Sequence, residues 1–299
     1  MLKRVLIIGS SGMLGVDLCA ELGSDHELIG ADLVHSPRSI VHRFCKIDIT
    51  KKEGVISAVR EIDPDIVIHT AAMTDVDGCE LDPKRAYRIN GAGTKNVALA
   101  CKAVDAVLVY ISTDFVFDGK KRTPYKETDK PRAISVYGRS KLAGEKAVRN
   151  ILKKYIIIRT SWLYGKYGKN FVDTILKESG RKKVLKVVDD QYGSPTYTKD
   201  LARAIHSLVD LVTRSPGHQV TSYGIYHVTN TGAVSWCDYA KEILKLSGIR
   251  AQVIPISSKE LARPAKRPAM SVLDNKKFNK TIKFKMRPWQ SALKEYLLR

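Results

Sequence analysis

The sequence lacks the cysteine pairs that a disulfide framework or a structural zinc site would need. Its cysteines are few and scattered along 299 residues, and no two of them form a CxxC pair. They are Cys19, Cys45, Cys79, Cys101 and Cys237. An odd number of dispersed thiols is typical of a protein in a reducing cytoplasm, and we expect a cytoplasmic location.

Long apolar runs are also missing. No stretch of about 18 apolar residues occurs, so we expect no membrane-spanning helix and no membrane partner. Residues 1–8 are too short for a secretory signal and lack a cleavage site. We interpret them as a strand that enters a turn.

Acidic residues are few relative to basic ones. The chain has 31 Asp and Glu against 51 Lys and Arg, which gives a net charge of +20. Such a charge suggests an anionic partner, either nucleic acid or a phosphorylated small molecule. The basic residues are scattered, with short clusters at 181–183 and 276–277, and no nucleic-acid-binding motif accompanies them. We therefore predict a strongly charged surface and no nucleic-acid partner.

The first half of the chain alternates short apolar runs with helical patterns. Strand patterns occupy residues 5–8, 27–31, 44–49, 66–69, 106–111 and 155–158, and helical patterns include 13–22, 52–61, 93–104 and 137–152. Short apolar strands with helices between them indicate a parallel sheet covered on both faces. The predicted fold class is α/β, with a doubly wound parallel sheet of the Rossmann type.

The second half is less regular. It has helical patterns at 170–179, 198–212 and 235–247 and strand patterns at 184–188 and 224–228. We expect a dinucleotide-binding Rossmann domain over residues 1–164. A smaller α/β substrate-binding region is expected over residues 165–299, interleaved with the sheet.

A glycine-rich turn follows the first strand pattern and opens a helix. Gly9, Gly12 and Gly15 form a GxxGxxG pattern, with Met13 and Leu14 at the predicted helix start. Glycine lets the backbone turn tightly and approach a pyrophosphate, and a helix N-terminus favours its negative charge. The alternative is a tight structural turn without a ligand. We predict that these five residues bind a nicotinamide dinucleotide.

Asp32 ends the second strand pattern, where a carboxylate accepts a hydrogen bond from the adenosine ribose of NADH. Such a carboxylate would repel the 2′-phosphate of NADPH. His35 and Arg38 follow closely and could bind that phosphate instead. The sequence therefore leaves the choice between NADPH and NADH open.

Further cofactor contacts are predicted after the third and fourth strand patterns. Asp48 is placed to bond the adenine amino group, with Ile49 beside it, although Asp48 could instead cap the helix that follows. Ala71, Ala72 and Thr74 are small residues after the fourth strand pattern, and we expect them to line the cofactor crevice.

Tyr137 and Lys141 lie one helical turn apart and therefore share one helix face. The lysine ammonium could reach the cofactor ribose and lower the pKa of the neighbouring phenol through its positive charge. A solvated helix face is the alternative reading of such a spacing. We predict that Tyr137 donates a proton to a carbonyl and that Lys141 lowers its pKa.

Thr113 ends the fifth strand pattern, at the carboxyl edge where sheets of this type bind ligands. Its hydroxyl could donate to a substrate carbonyl, although threonine also closes strands for its β-propensity alone. His69, at the end of the fourth strand pattern, is expected to be a buried strand histidine.

At this point the chain resembles a known group of enzymes. It is similar to the extended short-chain dehydrogenase/reductases, and within them to the dTDP-4-dehydrorhamnose reductase family, over essentially its whole length. The matching segments are 71–80 with Asn90, 112–119, 137–145, 159–165, 190–196 and 267–274. The last three segments are quite specific to this family.

The resemblance implies reduction of the C4 ketone of dTDP-4-dehydro-L-rhamnose to dTDP-L-rhamnose with NADPH or NADH. It assigns Thr113, Tyr137 and Lys141 as the catalytic trio. It implies the substrate-binding residues Thr113, Asp114, Trp162, Asn170 and Arg267. The indole of Trp162 would stack on the base or pack on the sugar, and Arg267 would bind the diphosphate. A core aromatic and a solvated arginine are the respective alternatives.

The resemblance leaves a metal and the assembly open. Bacterial members often hold Mg²⁺ with acidic residues at a subunit interface, and Asp17 occupies the first such position, but the other positions have no evident counterpart. We therefore assign no metal ligands and leave a need for Mg²⁺ open. The resemblance is compatible with a homodimer.

Other functions are weighed against the reductase. A nucleotide-sugar 4,6-dehydratase would need a carboxylic acid where Phe115 stands, and an epimerase would carry a different sugar-binding tail. The regulatory subunit of methionine adenosyltransferase shares this fold and many of these motifs without catalysing a reduction. The intact Thr113, Tyr137 and Lys141 favour a working reductase.

Overall fold

The structure is a computed structural model that describes residues 2–213, 223–282 and 284–298. The remaining positions of the predicted substrate-binding region, 214–222, 283 and 299, lie outside the described residues.

Strands and helices alternate along the chain. The strands are β1 Arg4–Ile8, β2 Glu27–Asp32, β3 Arg43–Lys46, β4 Ile66–His69, β5 Val107–Thr113, β6 Tyr155–Thr160, β7 Leu163–Tyr164, β8 Val184–Val188, β9 Tyr192–Gly193, β10 Thr196–Tyr197, β11 Gly224–His227, β12 Val234–Ser235 and β13 Gln252–Ile256. The α-helices are α1 Met13–Leu22, α2 Lys52–Ile62, α3 Val76–Leu81, α4 Pro83–Ala86, α5 Thr94–Ala103, α6 Val136–Ile151, α7 Phe171–Ser179, α8 Thr198–Thr213, α9 Trp236–Leu246, α10 Ser258–Leu261, α11 Lys276–Thr281 and α12 Trp289–Leu297. A π-helical segment, Tyr87–Gly93, and a 3₁₀ turn, Asp114–Val116, complete the regular structure described.

Seven strands form one parallel sheet in the order β11-β6-β5-β4-β1-β2-β3. The order reverses beside β1, which is the point where doubly wound sheets bind nucleotides. The predicted fold class is confirmed. The edge strand β11 comes from the second half of the chain, where it pairs with β6.

The sheet carries an apolar layer on each face. Along β1 the buried side chains alternate, so that Val5 and Ile7 join one core while Leu6 and Ile8 join the other. Helices α1 and α8 cover the first face, and α2 and α5 cover the second. A third core, which includes Tyr164, Tyr239 and Trp289, lies in the second half of the chain.

Local chemistry places α6 against the end of β5. The side chain of Ser135 accepts a hydrogen bond from the Gly138 amide at 3.2 Å and so caps the helix. A Cβ at Gly138 would lie 2.1 Å from the Phe115 carbonyl oxygen, so only glycine permits this approach. The helix start carrying Tyr137 is therefore held beside the segment that follows Thr113.

Several boundaries differ from the sequence prediction. The sequence predicts the third strand over 44–49, whereas the structure has it over Arg43–Lys46. The Ile47 amide still donates to the Asp32 carbonyl of β2, and the chain turns away after it. The structure adds a helical stretch from Val76 to Gly93 that the sequence does not predict, since the cap Asp82 and Pro83 divide it into short pieces.

Candidate active site

A cavity of about 960 Å³ opens at the carboxyl edge of the sheet. It runs from the glycine-rich turn to the start of α6, and residues of both halves of the chain line it. The predicted site residues that line it are Gly9, Gly12, Met13, Leu14, Gly15, Asp32, Asp48, Ile49, Ala71, Ala72, Thr74, Thr113, Asp114, Tyr137, Lys141, Trp162 and Arg267.

The glycine-rich turn is built by close backbone contacts. Gly9 has a φ of +94°, and a Cβ there would lie 2.3 Å from the Thr70 hydroxyl. A Cβ at Gly15 would lie 2.0 Å from the Gly9 carbonyl oxygen. Helix α1 therefore begins directly under the turn, and its first amides, which have no partners within the helix, face the cavity. This arrangement fits the pyrophosphate of a dinucleotide.

Asp32 is fixed beside this turn. Its two carboxylate oxygens accept hydrogen bonds from the amides of Leu33 at 2.7 Å and Ser11 at 3.2 Å. His35 packs against Phe44, and Arg38 lies over the ring of Tyr167, 5.7 Å from its centroid. Neither His35 nor Arg38 is among the residues that line the cavity.

Asp48 closes a turn of its own. Its Oδ1 accepts hydrogen bonds from the amide of Thr50 at 2.9 Å and from its hydroxyl at 2.7 Å, and these hold the pKa of Asp48 below its usual range. Helix α2 starts at Lys52 with Lys51 as its capping residue. The alternative in which Asp48 caps that helix is therefore wrong, and Asp48 is one of the residues that line the cavity.

Lys141 is almost fully buried at the reacting end, with 3% of its surface exposed. Its Nζ donates to the Ile111 carbonyl at 2.6 Å and lies 4.3 Å from the centre of the Tyr110 ring. Burial lowers the pKa of Lys141 to about 7, and the charge of Glu145 opposes that shift. The lysine can therefore gain or lose a proton near neutral pH.

The pKa of Tyr137 corrects one prediction. Burial raises the pKa of this phenol, the Thr113 hydroxyl opposes the shift, and Asp114 and Cys79 add to it. Lys141 is not among the groups that shift it, so the expected lowering by Lys141 is wrong in this arrangement. The physical reason is that loss of hydration of the buried phenol, which disfavours its anion, is the largest contribution to the shift. Tyr137 is thus a neutral phenol, the form that can donate a proton.

Thr113 and Asp114 form a hydrogen-bonded pair beside the phenol. The Thr113 hydroxyl donates to Asp114 Oδ1 at 3.0 Å and accepts from the Phe115 amide at 3.2 Å. Burial raises the pKa of Asp114 to about 7, although the hydroxyls of Ser271 and Thr113 work against it. Sequence reasoning placed Asp114 on the substrate but did not identify it as an acid that titrates near neutrality.

Cationic side chains gather on the cavity wall. Arg267 lines it, as predicted, and is joined by Arg85, Arg88 and Lys169, which sequence reasoning missed. Arg85 and Arg88 lie one helical turn apart in the stretch between β4 and α5, so assigning that stretch as helical would have revealed them. A wall with these charges suits a diphosphate.

Asn170 is the one predicted site residue that the structure does not bring to the cavity. Its side chain accepts from the Asp173 amide at 3.0 Å and caps α7, while its Nδ2 donates to the Gly165 carbonyl at 2.9 Å. These contacts make it a capping residue. His69, by contrast, is confirmed as a buried strand histidine, 3.2 Å from the Thr94 hydroxyl.

The residues considered for a metal lie away from the cavity. Asp17 is buried between α1 and α8 and accepts a hydrogen bond from the Thr198 hydroxyl. Within the described residues, the groups of metal-type side chains whose donor atoms lie close together are His26 with His206 and Asp210, and Asp189 with Cys237 and Asp238. None of these side chains lines the cavity.

Among the described residues, no helix is both long enough and apolar enough to cross a membrane.

Comparisons with known proteins agree with this geometry. A family model described as the RmlD substrate binding domain matches residues 3–299. The chain is 40% identical over 296 residues to a dTDP-4-dehydrorhamnose reductase from Streptomyces griseus, covering 98% of this chain and 92% of that protein. It is 38% identical over 296 residues to the spore coat polysaccharide biosynthesis protein SpsK of Bacillus subtilis (strain 168), covering 99% and 97%.

A solved structure of a dTDP-4-dehydrorhamnose reductase is similar to this chain over its full length. The dTDP-4-dehydrorhamnose reductase from Bacillus anthracis str. Ames in complex with NADP superposes with a TM-score of 0.89 at 39% identity, covering 100% of this chain and 99% of that one. The matched family model, the full-length identity and the shared fold show that this chain belongs to the dTDP-4-dehydrorhamnose reductase family.

Proposed function

We propose that this protein is an NAD(P)H-dependent reductase that converts the C4 ketone of dTDP-4-dehydro-L-rhamnose to the alcohol of dTDP-L-rhamnose. One observation carries the proposal: a single cavity joins a dinucleotide-type glycine turn to Thr113, Tyr137 and Lys141 and to a cationic wall. The substrate follows from the family to which the chain belongs.

In the proposed reaction a C–H bond forms at C4 and an O–H bond forms at the former ketone oxygen. The bound nicotinamide supplies the hydride. Tyr137 supplies the proton, because burial keeps its phenol neutral, and a positioned acid contributes roughly 10²–10⁴ in rate. The Thr113 hydroxyl would hold the ketone oxygen by turning toward it the proton that it otherwise donates to Asp114.

Lys141 and Asp114 complete the reacting end. We infer that Lys141 holds the cofactor ribose and returns a proton to Tyr137, since its pKa of about 7 lets it exchange protons at neutral pH. Asp114, with its pKa raised to about 7, contacts the substrate hydroxyls beside Thr113. Asn170 acts through the placement of α7 rather than through contact with the substrate.

The cofactor fits the other end of the cavity. Gly9, Gly12 and the first residues of α1 would hold the pyrophosphate, and Asp32 would hold the adenosine ribose. The relative from Bacillus anthracis binds NADP. In this chain the fixed carboxylate of Asp32 and the positions of His35 and Arg38 support NADH as well.

The organisation of the chain supports separate cofactor-binding and substrate-binding regions. We propose that residues 1–164 bind the dinucleotide and that residues 165–299 form the substrate-binding region, with β11 returning to the sheet. Thr113, Asp114 and Trp162 of the first region also contact the substrate in this proposal. No nucleic-acid partner is proposed, and a homodimer is the proposed assembly. The five cysteines are free thiols, which supports a reducing cytoplasm.

The test is turnover with a defined substrate. Purified protein is mixed with NADPH or NADH and dTDP-4-dehydro-L-rhamnose made in situ, and loss of absorbance at 340 nm is followed, with NMR identifying the C4 product. Reduction to dTDP-L-rhamnose is expected. Tight cofactor binding without turnover, together with capture of a methionine adenosyltransferase, would favour the regulatory-subunit alternative instead.

A further inference from the structure

The indole of Trp162 is stacked flat on a second tryptophan. The rings of Trp162 and Trp236 lie 3.4 Å apart between centroids, with an angle of 5° between their planes. Both residues line the cavity, although they stand 74 positions apart in the chain. The ring of Phe171 packs on Trp236 from the side, 4.4 Å between centroids.

Gly193 covers the other face of the same indole. A Cβ built on Gly193 would lie 2.3 Å from Cε2 of Trp162, 2.6 Å from its Nε1 and 2.7 Å from its Cζ2. These distances place that Cβ above Cε2, over the flat face, because an approach in the ring plane would bring Nε1 closest. Parallel rings 3.4 Å apart leave no room between them. Gly193 therefore lies on the face opposite Trp236.

One short segment of the chain positions both sides of this sandwich. Val234 of β12 pairs with Gly193 of β9, and the next residue, Ser235, caps α9, whose first residue is Trp236. The hydroxyl of Ser235 accepts from the Asp238 amide at 3.1 Å and donates to Asp189 at 2.6 Å. The spacing between Gly193 and Trp236 is thus fixed by backbone pairing and a helix cap.

The backbone of Trp162 is adapted to this position. Its φ of +48° lies in the left-handed region, which a residue with a large side chain rarely adopts. Its carbonyl accepts a hydrogen bond from the Thr196 amide at 3.2 Å, and Leu163, which follows it, pairs with Thr196. A strained backbone held by its surroundings is typical of a functional site.

We propose that Trp236 and Gly193 are positioning residues that clamp Trp162, so that this indole offers its edge, and not its face, to the substrate. The inference rests on the proposed function and refines it. Because both faces are covered, Trp162 does not stack on the nucleotide base. Of the two contacts considered from the sequence, the one that remains is packing of the indole edge against the sugar.

The clamp has a spectroscopic signature and a kinetic one. Two indoles stacked at this distance couple their transitions, so the wild type should show a tryptophan couplet in its circular dichroism. Trp236→Leu removes the stack and should abolish the couplet. Trp289→Phe is the matched control, because Trp289 is buried in the same core without lining the cavity, and it should keep the couplet.

Kinetic and binding measurements distinguish contact of Trp162 with the sugar from contact with the nucleotide base. For Trp236→Leu we expect the KM for dTDP-4-dehydro-L-rhamnose to rise at least tenfold, kcat to change less than threefold, and the Kd for dTDP alone to stay within twofold. Gly193→Ala should show the same pattern, and Trp236→Phe, which keeps an aromatic ring, should lie between wild type and Trp236→Leu.

Two results would overturn the clamp. One is an unchanged KM in a folded Trp236→Leu protein that has lost the couplet. The other is loss of dTDP affinity in that variant, which would mean that the base stacks on Trp162. The dTDP titration and the couplet need no turnover, so they test the clamp even if the wild type proves inactive on this sugar.

Discussion

Asp77 holds Arg267 through two parallel hydrogen bonds. Nη1 of Arg267 lies 3.0 Å from Asp77 Oδ1 and Nη2 lies 2.8 Å from Oδ2. The Ala265 amide also donates to Oδ1, at 3.1 Å, and Arg267 donates to the Ala265 carbonyl at 2.8 Å. Although burial opposes it, hydrogen bonding by Arg267 keeps the pKa of Asp77 below its usual range. The guanidinium is therefore oriented before any diphosphate arrives.

Loss of this orientation should weaken substrate binding. A hydrogen bond to a charged group is worth about 1.5–3 kcal/mol, so Asp77→Asn should raise the KM for the nucleotide sugar roughly 10- to 100-fold. The Kd of the cofactor should not change. Steady-state kinetics with both substrates checks this.

Arg263→Ala provides the matched control. Arg263 also contacts Asp77, at 3.4 Å, but does not line the main cavity, so this change should leave KM within about twofold of wild type. An Asp77→Asn protein with wild-type KM would show that Arg267 needs no such support.

The buried ion pair of Glu145 and Arg159 should affect the free energy of unfolding strongly when one partner is removed. Arg159 donates to the two carboxylate oxygens at 2.9 and 2.7 Å, and both side chains are almost fully buried. Removing one partner strands a buried charge, so Arg159→Leu should lower the free energy of unfolding by about 3–5 kcal/mol. Replacing both by leucine should cost less than the single change. Urea denaturation measures both.

An exposed pair is the control for that experiment. Lys154 and Asp105 lie at the surface, and Lys154→Ala should change the free energy of unfolding by less than about 1 kcal/mol. Equal losses at the two sites would contradict the assigned role of burial.

Two buried histidines should make the protein sensitive to acid. Burial lowers the pKa of both His69 and His227 to about 3, with Lys141 and Arg159 adding to the respective shifts. Between pH 6.5 and 3 the unfolded chain binds protons at these sites that the folded chain does not, so stability falls as the pH falls through this window. His227→Gln should flatten that decline in denaturant melts at several pH values.

The buried carboxyl of Asp114 should change the stability of the protein with pH in the direction opposite to the two histidines. Its pKa is raised from 3.8 to about 7, so its contribution to stability is present at low pH and is lost as the pH rises toward 7. Asp114→Asn removes this opposing contribution, so the rise of stability with pH that the two histidines produce should become steeper in that range. A shallower rise in the variant would contradict the assigned burial of Asp114.

Asp32 should decide the preference between the two cofactors. A carboxylate favours the ribose hydroxyl of NADH and repels the 2′-phosphate of NADPH. Asp32→Asn should thus raise the KM for NADH and lower the KM for NADPH. Similar KM values for the two cofactors before and after the change would mean that Asp32 does not contact the ribose.

Local spacing made part of the site predictable. The glycine-rich turn and the pair Tyr137 and Lys141 lie on continuous segments, so strand and helix periodicity was enough to place them at one sheet edge. The seven-stranded sheet followed from the same alternation, apart from β11, whose place beside β6 depends on a crossover that no local pattern indicates.

Contacts between distant segments could not be predicted. Asp77 and Arg267 lie 190 positions apart. The stack of Trp162 and Trp236 joins the residues between β6 and β7 to the first residue of α9, which the pairing of β12 with β9 positions. The prediction that Lys141 lowers the pKa of Tyr137 was wrong for a related reason. Sequence spacing places the two residues on one helix face, but it does not show that both groups are buried. Asn170 has an amide side chain of the kind that often binds ligands, but in the structure this side chain caps the first turn of α7.

The most direct test of the account compares wild type with Tyr137→Phe in the oxidation of NADPH or NADH by dTDP-4-dehydro-L-rhamnose. The phenylalanine variant loses only the hydroxyl, so cofactor Kd should be unchanged while kcat falls roughly 10²–10⁴-fold. Turnover by the wild type with that loss in the variant is the result we predict. Equal turnover by the two proteins would contradict the role of Tyr137 as the proton donor.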